Sequence, residues 1–420
     1  MPGILPTLDL IARKAIVDGL DTDADPVVRE TQDARFGHYQ INGILPLAKT
    51  LKTNPRQLAT KVVEKLDGEG MFLEPEIAGP GFINIKLNPE WLGKAVGTAC
   101  ADSARLGIET VAEPESIVVD FSSPNVAKKM HVGHLRSTII GDSLVRVLRF
   151  LGHNVVGDNH IGDWGTQFGI LIWAWRNRAG DLNPDEATIG DLEELYKAGT
   201  AAGKDDPAIA DACREELAKL QAGDADNKAL WERFVAISRR EAEATYERLN
   251  ISFDTWHGES FYNDDLAGVV EELTGSGIAR EDQGAILVFF PEGSRLEERP
   301  FIIRKKDGAF LYSTTDLATV KYRIKEYGCQ RMIYVVDVRQ SNHFEQLFTT
   351  TEMMGLEATM EHVGFGMMLG NDGKPFRTRD GGTVTLAALL NEAEERILPR
   401  VQEKWADEPE SVQREMAAQV

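Results

Sequence analysis

The stretch Ile117-Val118-Val119-Asp120-Phe121-Ser122-Ser123-Pro124-Asn125-Val126-Ala127-Lys128-Lys129-Met130-His131-Val132-Gly133-His134 decides the fold. Its first five residues form a short, apolar, β-branched run, as a buried parallel strand requires. Ser122-Ser123-Pro124-Asn125 breaks that run. Beyond it, Leu135, Ile139, Ile140, Leu144, Val147, Leu148 and Leu151 recur at helical spacing. Gly152 closes the helix, and Asn154-Val155-Val156-Gly157-Asp158 opens a second strand. A strand, a loop, a helix and a strand in this order are the building block of a doubly wound α/β sheet.

Outward from this unit the pattern changes twice. Residues 1–112 read as a small α+β domain. Leu8 to Gly19 has helical spacing, Asn54-Pro55-Arg56 through Leu66 begins with a natural cap and a first-turn proline, and Gly81 to Leu87 alternates like a half-exposed strand. Ala112-Glu113-Pro114-Glu115 reads as a linker. Residues 113–385 read as the Rossmann-type domain, with a largely helical insertion at about 175–300, including Asp191 to Leu220 and Asn227 to Leu249. The sheet is expected to resume at Gly308 to Tyr312. A helix from about Thr315 to Tyr327, a strand at Arg331 to Asp337, a helix from about Asn342 to Met354 and a strand at Val363 to Met368 follow. Residues 386–420 read as helical and charged.

Composition bounds the rest. The 420 residues are 42% hydrophobic and 27% charged, which excludes a disordered or collagen-like chain. No apolar run approaches the roughly 20 residues of a membrane span, and the first residues carry no basic, apolar leader. Cys100, Cys213 and Cys329 lie far apart, against a disulfide scaffold or a cysteine metal site. A cytoplasmic location is the expectation. With 46 Lys+Arg against 67 Asp+Glu the formal charge is −21, which disfavours indiscriminate binding of polyanions. A local basic patch can still serve one specific nucleic acid.

His131-Val132-Gly133-His134 falls where strand gives way to helix. Ligands of open α/β sheets bind at the carboxyl ends of the strands, and a helix N-terminus offers free N–H groups to phosphate. Two imidazoles there can donate to phosphoryl oxygens, and Gly133 lets a flat ring approach the backbone. On these four residues alone, a pair of helix-capping histidines remains the alternative. Two histidines without a third ligand do not make a zinc site, and no metal is expected.

The longer stretch Asp120 to Asp142 closely resembles the signature of arginyl-tRNA synthetases, class I enzymes with a Rossmann-type catalytic domain. His160-Ile161-Gly162-Asp163-Trp164-Gly165-Thr166-Gln167-Phe168-Gly169 is similar to the family's next glycine-rich segment. Phe36-Gly37-His38-Tyr39-Gln40-Ile41-Asn42 and Gly79 to Asn84 resemble its N-terminal domain. The resemblance covers essentially the whole chain. It implies that L-arginine attacks the α-phosphorus of ATP, with Mg2+ as part of the ATP complex, to give arginyl-adenylate and pyrophosphate. The terminal 2′-hydroxyl of tRNA(Arg) then takes the arginyl group. It also implies little pyrophosphate exchange without tRNA, and a monomer.

The same resemblance assigns His131, His134, Lys128 and Lys374 to catalysis. It assigns Asp120, Asn125, Tyr312, Asp316 and Gln340 to arginine, and His131, Gly133, His134 and Arg377 to ATP, where His343, just after Gln340, is also placed, with a capping role as its alternative. Phe36, Tyr39, Gln40 and Asn42 go to tRNA. A guanidinium needs carboxylates and neutral acceptors, which Asp316 and its companions supply. Asp316 read alone is better taken as a helix N-terminal acid favoured by the dipole. Tyr312 and Asp316 share a face if their helix starts early enough. Gly373-Lys374-Pro375-Phe376-Arg377-Thr378-Arg379 stands where class I enzymes carry a mobile lysine-rich loop, but the usual Lys-Met-Ser-Lys-Ser is missing, and Lys128 is implied to compensate. The family continues into an anticodon-reading helical domain, so 386–420 is expected to be the start of a truncated region and charging to be slow. A catalytically impaired fragment, a tRNA-binding relative, a small-molecule nucleotidyltransferase and a synthetase for another amino acid stay open as alternatives. Trp173, Trp175 and Trp256 are read as packing aromatics.

Overall fold

The structure is a computed structural model that describes residues 3–369, 373 and 384–420. Lys374, Arg377 and Arg379 lie outside the described residues. The chain divides into two compact units, one ending at Ala112 and one beginning at Glu113.

The first unit contains α1 (Ile4–Leu20), β1 (Val28–Glu30), β2 (Tyr39–Ile41), α2 (Ile44–Leu51), α3 (Pro55–Val63), β3 (Glu76–Ala78), β4 (Phe82–Ile85) and α4 (Pro89–Ala101). Its sheet runs β1-β2-β4-β3, with every neighbouring pair antiparallel. Asn54 caps α3 by accepting the Arg56 N–H, with Pro55 in the first turn, as expected. Ile16, Ile41, Ile44, Leu58 and Ile83 form the core. β4 is more buried than its alternation suggested. Asn84 is buried too, because its Oδ1 accepts from Gln40 Nε2 across the sheet at 2.8 Å.

The second unit begins β5 (Ser116–Phe121), α5 (Val132–Leu151), β6 (Asn154–Asp158). A helical layer follows, α6 (Thr166–Arg178), α7 (Ile189–Asp205), α8 (Pro207–Gln221) and α9 (Ala225–Arg248). After α10 (Leu266–Gly275) come β7 (Ala279–Asp282), β8 (Ala285–Val288) and β9 (Phe301–Arg304). The chain ends with α11 (Tyr312–Tyr327), β10 (Arg331–Val335), α12 (Ser341–Met353), β11 (Thr359–His362), α13 (Leu386–Lys404) and α14 (Glu410–Gln419).

The central sheet is parallel, in the order β11-β10-β5-β6. Strand alternation sorts its side chains into two layers. Ile117, Val119, Phe121, Ile333 and Val335 pack with Val145 of α5 and Leu386 of α13. Val118, Met332 and Tyr334 pack on the other face with Val270 of α10, Leu317 of α11 and Leu347 of α12. Helices on both faces make the sheet doubly wound. β5 leads through α5 to β6 on one side, and β10 leads through α12 to β11 on the other. The adjacent strands β5 and β10 therefore bracket a topological switch point, where such sheets open a crevice.

Four local expectations are corrected. Asp191 to Leu220 is two helices, not one. Pro207 has no N–H and disfavours helical backbone at Asp206, so α7 stops and α8 starts there. The insertion is not only helical, because β7, β8 and β9 form an antiparallel sheet within it. Gly308 to Tyr312 does not rejoin the parallel sheet. Gly308 turns the chain at φ 86°, Phe310 makes one bridge to Arg304, and Tyr312 already begins α11. The last parallel strand is Thr359–His362 rather than Val363 to Met368. Beyond His362 the pairing narrows to a single parallel bridge between Phe365 and Asp337, and Arg136 Nη1 donates to the Gly366 carbonyl at 2.6 Å.

Candidate functional site

A cleft of about 540 Å³ opens at the switch point. Ser122 and Ser123 line it after β5, Val335, Val336, Asp337, Arg339 and Gln340 at and after the end of β10, and His131, Gly133, His134 and Arg136 at the start of α5. The loop after β5 is held in an unfavourable backbone conformation, with Ser122 at φ 71°, Ser123 at φ 47° and Ala127 at φ 62°. Buried hydrogen bonds fix it. Ser122 N–H donates to Ser137 Oγ at 2.8 Å, and Ser137 Oγ donates to the Val335 carbonyl at 2.5 Å. Ser122 Oγ meets Tyr246 of α9 at 2.7 Å, and Ala127 N–H donates to Ser238 Oγ at 2.9 Å.

Both histidines cap α5. His131 Nδ1 accepts the Gly133 N–H at 3.0 Å, and His134 Nδ1 accepts the His131 N–H at 3.0 Å. The capping alternative is thus realised, and it dictates the chemistry. A ring nitrogen that accepts an N–H carries no proton, so each neutral imidazole bears its proton on Nε2. Burial and the neighbouring His131 push His134 down to about 4, and burial with Lys128 and Arg339 nearby lowers His131. Two neutral rings with centroids 3.9 Å apart therefore offer Nε2–H donors beside the cleft. Gly133 has a role the sequence did not reveal. A Cβ there would lie 2.7 Å from the His131 ring, so the ring that approaches this backbone is the protein's own. The segment leading into α13 is stapled to the same turn, with Val132 N–H on the Val384 carbonyl at 3.0 Å and Leu386 N–H on the Met130 carbonyl at 2.8 Å.

A second group of side chains is acidic. Tyr312 and Asp316 share the first turns of α11, which starts early enough to put them on one face. Asp316 Oδ2 meets His343 Nε2 at 2.5 Å, and the Tyr312 ring stands 4.7 Å from the His343 ring. His343 was expected at ATP. One turn into α12 its ring faces Asp316, and it does not line the cleft. Gln340, at the N-terminus of the same helix, does. The first turn of α12 thus joins the imidazole cleft to the acidic group.

Sequence reasoning missed three members of that group. Asp163 Oδ1 and Oδ2 accept the Ser260 N–H and Oγ–H at 2.8 and 2.7 Å, a close approach that only Gly258 permits. Its carboxyl is raised by burial, against the pull of those bonds. Glu259 is raised to about 7, first by burial and then by repulsion from Asp316 and Asp163, with the neighbouring His160 opposing. No local signal marks Glu259, whereas Asp163 and His160 lie in the glycine-rich segment already noted.

Asp120 is paired within the protein. Its Oδ2 accepts from the fully buried Arg323 at 2.6 Å, and its Oδ1 accepts from Ser123 Oγ at 3.1 Å. Asn125 is exposed beside a small hollow shared with Lys128, and Lys128 Nζ sits 5.2 Å over the Tyr196 ring. Trp173, Trp175 and Trp256 pack against apolar cores. In the first unit, Phe36 is exposed, Tyr39 is packed on the core, Gln40 is paired with Asn84, and Asn42 is half-buried.

Two family models match the chain. "tRNA synthetases class I (R), catalytic domain" covers residues 96–419, and "Arginyl tRNA synthetase N terminal domain" covers residues 9–87. Arginine–tRNA ligase of Laribacter hongkongensis is 48% identical over 97% of this chain and 72% of its own length. That of Saccharophagus degradans is 47% identical over 96% of this chain and 70% of its own length. The crystal structure of arginyl-tRNA synthetase from Plasmodium falciparum superposes with a TM-score of 0.81 at 28% identity, over 99% of this chain and 72% of that one. The Thermus thermophilus arginyl-tRNA synthetase shares the fold, with a TM-score of 0.78 at 22% identity, over 99% of this chain and 74% of that one.

Proposed function

The chain belongs to the class I arginyl-tRNA synthetases and joins arginine to tRNA(Arg) with ATP as co-substrate, and from that premise we propose how its residues divide the reaction. The imidazole cleft takes ATP, delivered as its magnesium complex. His131 and His134 donate from Nε2 to the phosphates as charge moves onto the departing pyrophosphate. Being neutral beforehand, they need lose no proton to do so. Lys128 adds positive charge beside the same turn, and Lys374 and Arg377 are assigned to the phosphates on the resemblance alone. The arginine carboxylate attacks the α-phosphorus in line, and the bond to pyrophosphate breaks. The terminal tRNA hydroxyl then attacks the adenylate carbonyl and AMP leaves. Positioning and charge stabilisation suffice, without a covalent enzyme intermediate.

The acidic group takes the guanidinium. Asp316 and Glu259 accept its N–H donors, Tyr312 closes over it, and Asn125 and Gln340 orient the α-substituents. Asp120 stands behind this pocket as an anchor and not as a direct ligand. A site built to hydrogen-bond five fixed donors rejects lysine and citrulline by large factors. Phe36, the exposed member of its segment, contacts tRNA from the N-terminal domain, with Tyr39, Gln40 and Asn42 shaping the surface beneath it. We place the enzyme in the cytoplasm as a monomer. Its domains are 1–112 for tRNA contact, 113–385 for catalysis and 386–420 as a helical region.

The observation that most supports this reading is the first turn of α12. Gln340 on it lines the imidazole cleft, and His343 on it bonds Asp316. Calorimetry with L-arginine, ATP and tRNA(Arg), singly and combined, tests the reading. Arginine is expected to bind and lysine and citrulline to fail. Equal affinity for arginine and citrulline overturns the guanidinium assignment.

A further inference from the structure

Arg323 is the largest fully buried side chain described in this protein. It comes from α11, two turns beyond Asp316. Tyr312, Asp316, Thr319 and Arg323 are spaced four, three and four residues apart, so they follow one face of the helix. The upper part of that face carries Asp316 and the lower part carries Arg323, about 10 Å along the axis.

The guanidinium ends on two strands at once. Arg323 Nη2 donates to Asp120 Oδ2 at 2.6 Å and to Asp158 Oδ2 at 2.7 Å. Asp120 and Asp158 are register partners at the carboxyl ends of β5 and β6, so two buried carboxylates sit side by side. Without a cation they repel one another and pay a desolvation cost. Thr255 Oγ1 donates to Asp158 at 2.6 Å, and the Tyr334 ring lies 5.6 Å from the guanidinium carbon. The arrangement is a closed guanidinium site of acids and an aromatic ring, filled by the protein's own side chain.

We propose that Arg323 is a positioning and specificity residue for the arginine substrate. By bridging Asp120 and Asp158 it sets the register of α11 against the sheet, and so the place of Asp316. By filling those two carboxylates it also keeps them from acting as a rival site for a guanidinium. The proposal rests on the reading of Asp316 as an arginine ligand. Asp120, though adjacent to the substrate pocket, is then silent toward substrate because Arg323 holds it.

The test uses the full chain and calorimetric Kd values for L-arginine and for ATP. Arg323→Lys keeps a cation for the two carboxylates but shortens the arm. It is expected to weaken arginine by about ten-fold or more while leaving ATP within a few-fold. Arg323→Ala empties the site, and guanidinium chloride in the millimolar range should refill it. Added guanidinium is then expected to tighten arginine binding to Arg323→Ala, whereas it competes with arginine in the wild-type protein. A rise in the melting temperature of Arg323→Ala with guanidinium, absent from the wild type, accompanies it. Arginine and ATP weakened equally in Arg323→Lys overturn the proposal, as does guanidinium that only competes in Arg323→Ala. If Arg323→Ala does not fold, the Arg323→Lys measurement decides alone. Asp316→Asn tests the underlying reading separately. An unchanged arginine Kd in Asp316→Asn rejects the pocket itself, whatever the Arg323 variants do.

Discussion

The imidazole turn and the acidic pocket are joined by one helical turn, yet they are built on opposite principles. The turn is local: four consecutive residues, two neutral rings, and caps that use the backbone of the same helix. The pocket is assembled from distant segments, with Asp163 after β6, Glu259 before α10, Asp316 on α11 and His343 on α12. In the proposed reading the first positions donors for charge that appears during reaction, and the second gathers carboxyls to receive a cation. Catalytic steps should therefore fail at the turn with binding intact, and arginine binding should fail at the pocket with the chemistry of ATP intact.

The largest effect is expected at the pocket. Asp316→Asn removes a charge-assisted partner for a guanidinium, and the arginine Kd should rise by about 10²-fold or more. Calorimetry should find ATP binding within a few-fold of wild type. If both ligands weaken together, the two regions are one site and the contrast is broken. Next in size is the turn. His131→Asn supplies another good N-cap acceptor but no Nε2 donor. The melting temperature should stay close to wild type while kcat for aminoacylation falls about 10²-fold. An unchanged kcat would reduce His131 to a cap.

That contrast also explains what could be read in advance. The strand Ile117 to Phe121, its helix and the second strand were legible because each rests on a local period. Alternation even places Asp120 on the Val118 face, the one packed by α11, and so toward Arg323. The imidazole turn was legible for the same reason, and the caps at the two Nδ1 atoms leave each Nε2 for the proposed contact with phosphate. The pocket was half legible. Asp316 and Tyr312 stand at helical spacing, but Glu259, His343 and Arg323 acquire their neighbours only when residues far apart in the chain meet. The three-stranded sheet at 279–304 was missed because its strands are four residues each, too short for a period to show.

The pH response separates the regions further. His134 near 4 and a His131 lowered from its ordinary value leave the turn neutral near pH 7 and above. Glu259 at about 7 is partly protonated around that pH. A bound guanidinium favours its ionised form, so arginine binding must release protons there and tighten as pH rises. The expected gain is about ten-fold from roughly pH 6 to 8, and Glu259→Gln should flatten it. Folding stability runs the other way. A carboxyl raised in the native state binds more protons than the unfolded chain between its ordinary value and about 7, so its term weakens stability as pH rises through that range. Calorimetry in two buffers of different ionisation enthalpy would count the protons, and a pH-independent arginine Kd would remove Glu259 from the pocket.

The smallest effect concerns what keeps the turn in place. Ser122, Ser123 and Ala127 hold left-handed backbone that costs about 1–3 kcal/mol each, and α9 secures the loop at both ends through Tyr246 and Ser238. Tyr246 is buried, its phenol pushed up to about 12 by that burial, and it also accepts from Asn159 Nδ2 at 3.2 Å. Tyr246→Phe deletes one hydroxyl from this network without changing the packing of the ring. Stability should drop by about 1–2 kcal/mol, read as a lower melting temperature. Because the loop leads into His131, kcat should fall a few-fold while the arginine Kd stays put. Tyr246 reaches the pocket only indirectly, through Asn159, Ser123 and Asp120, so a change in arginine affinity as large as the change in kcat would show that the strained loop serves both regions.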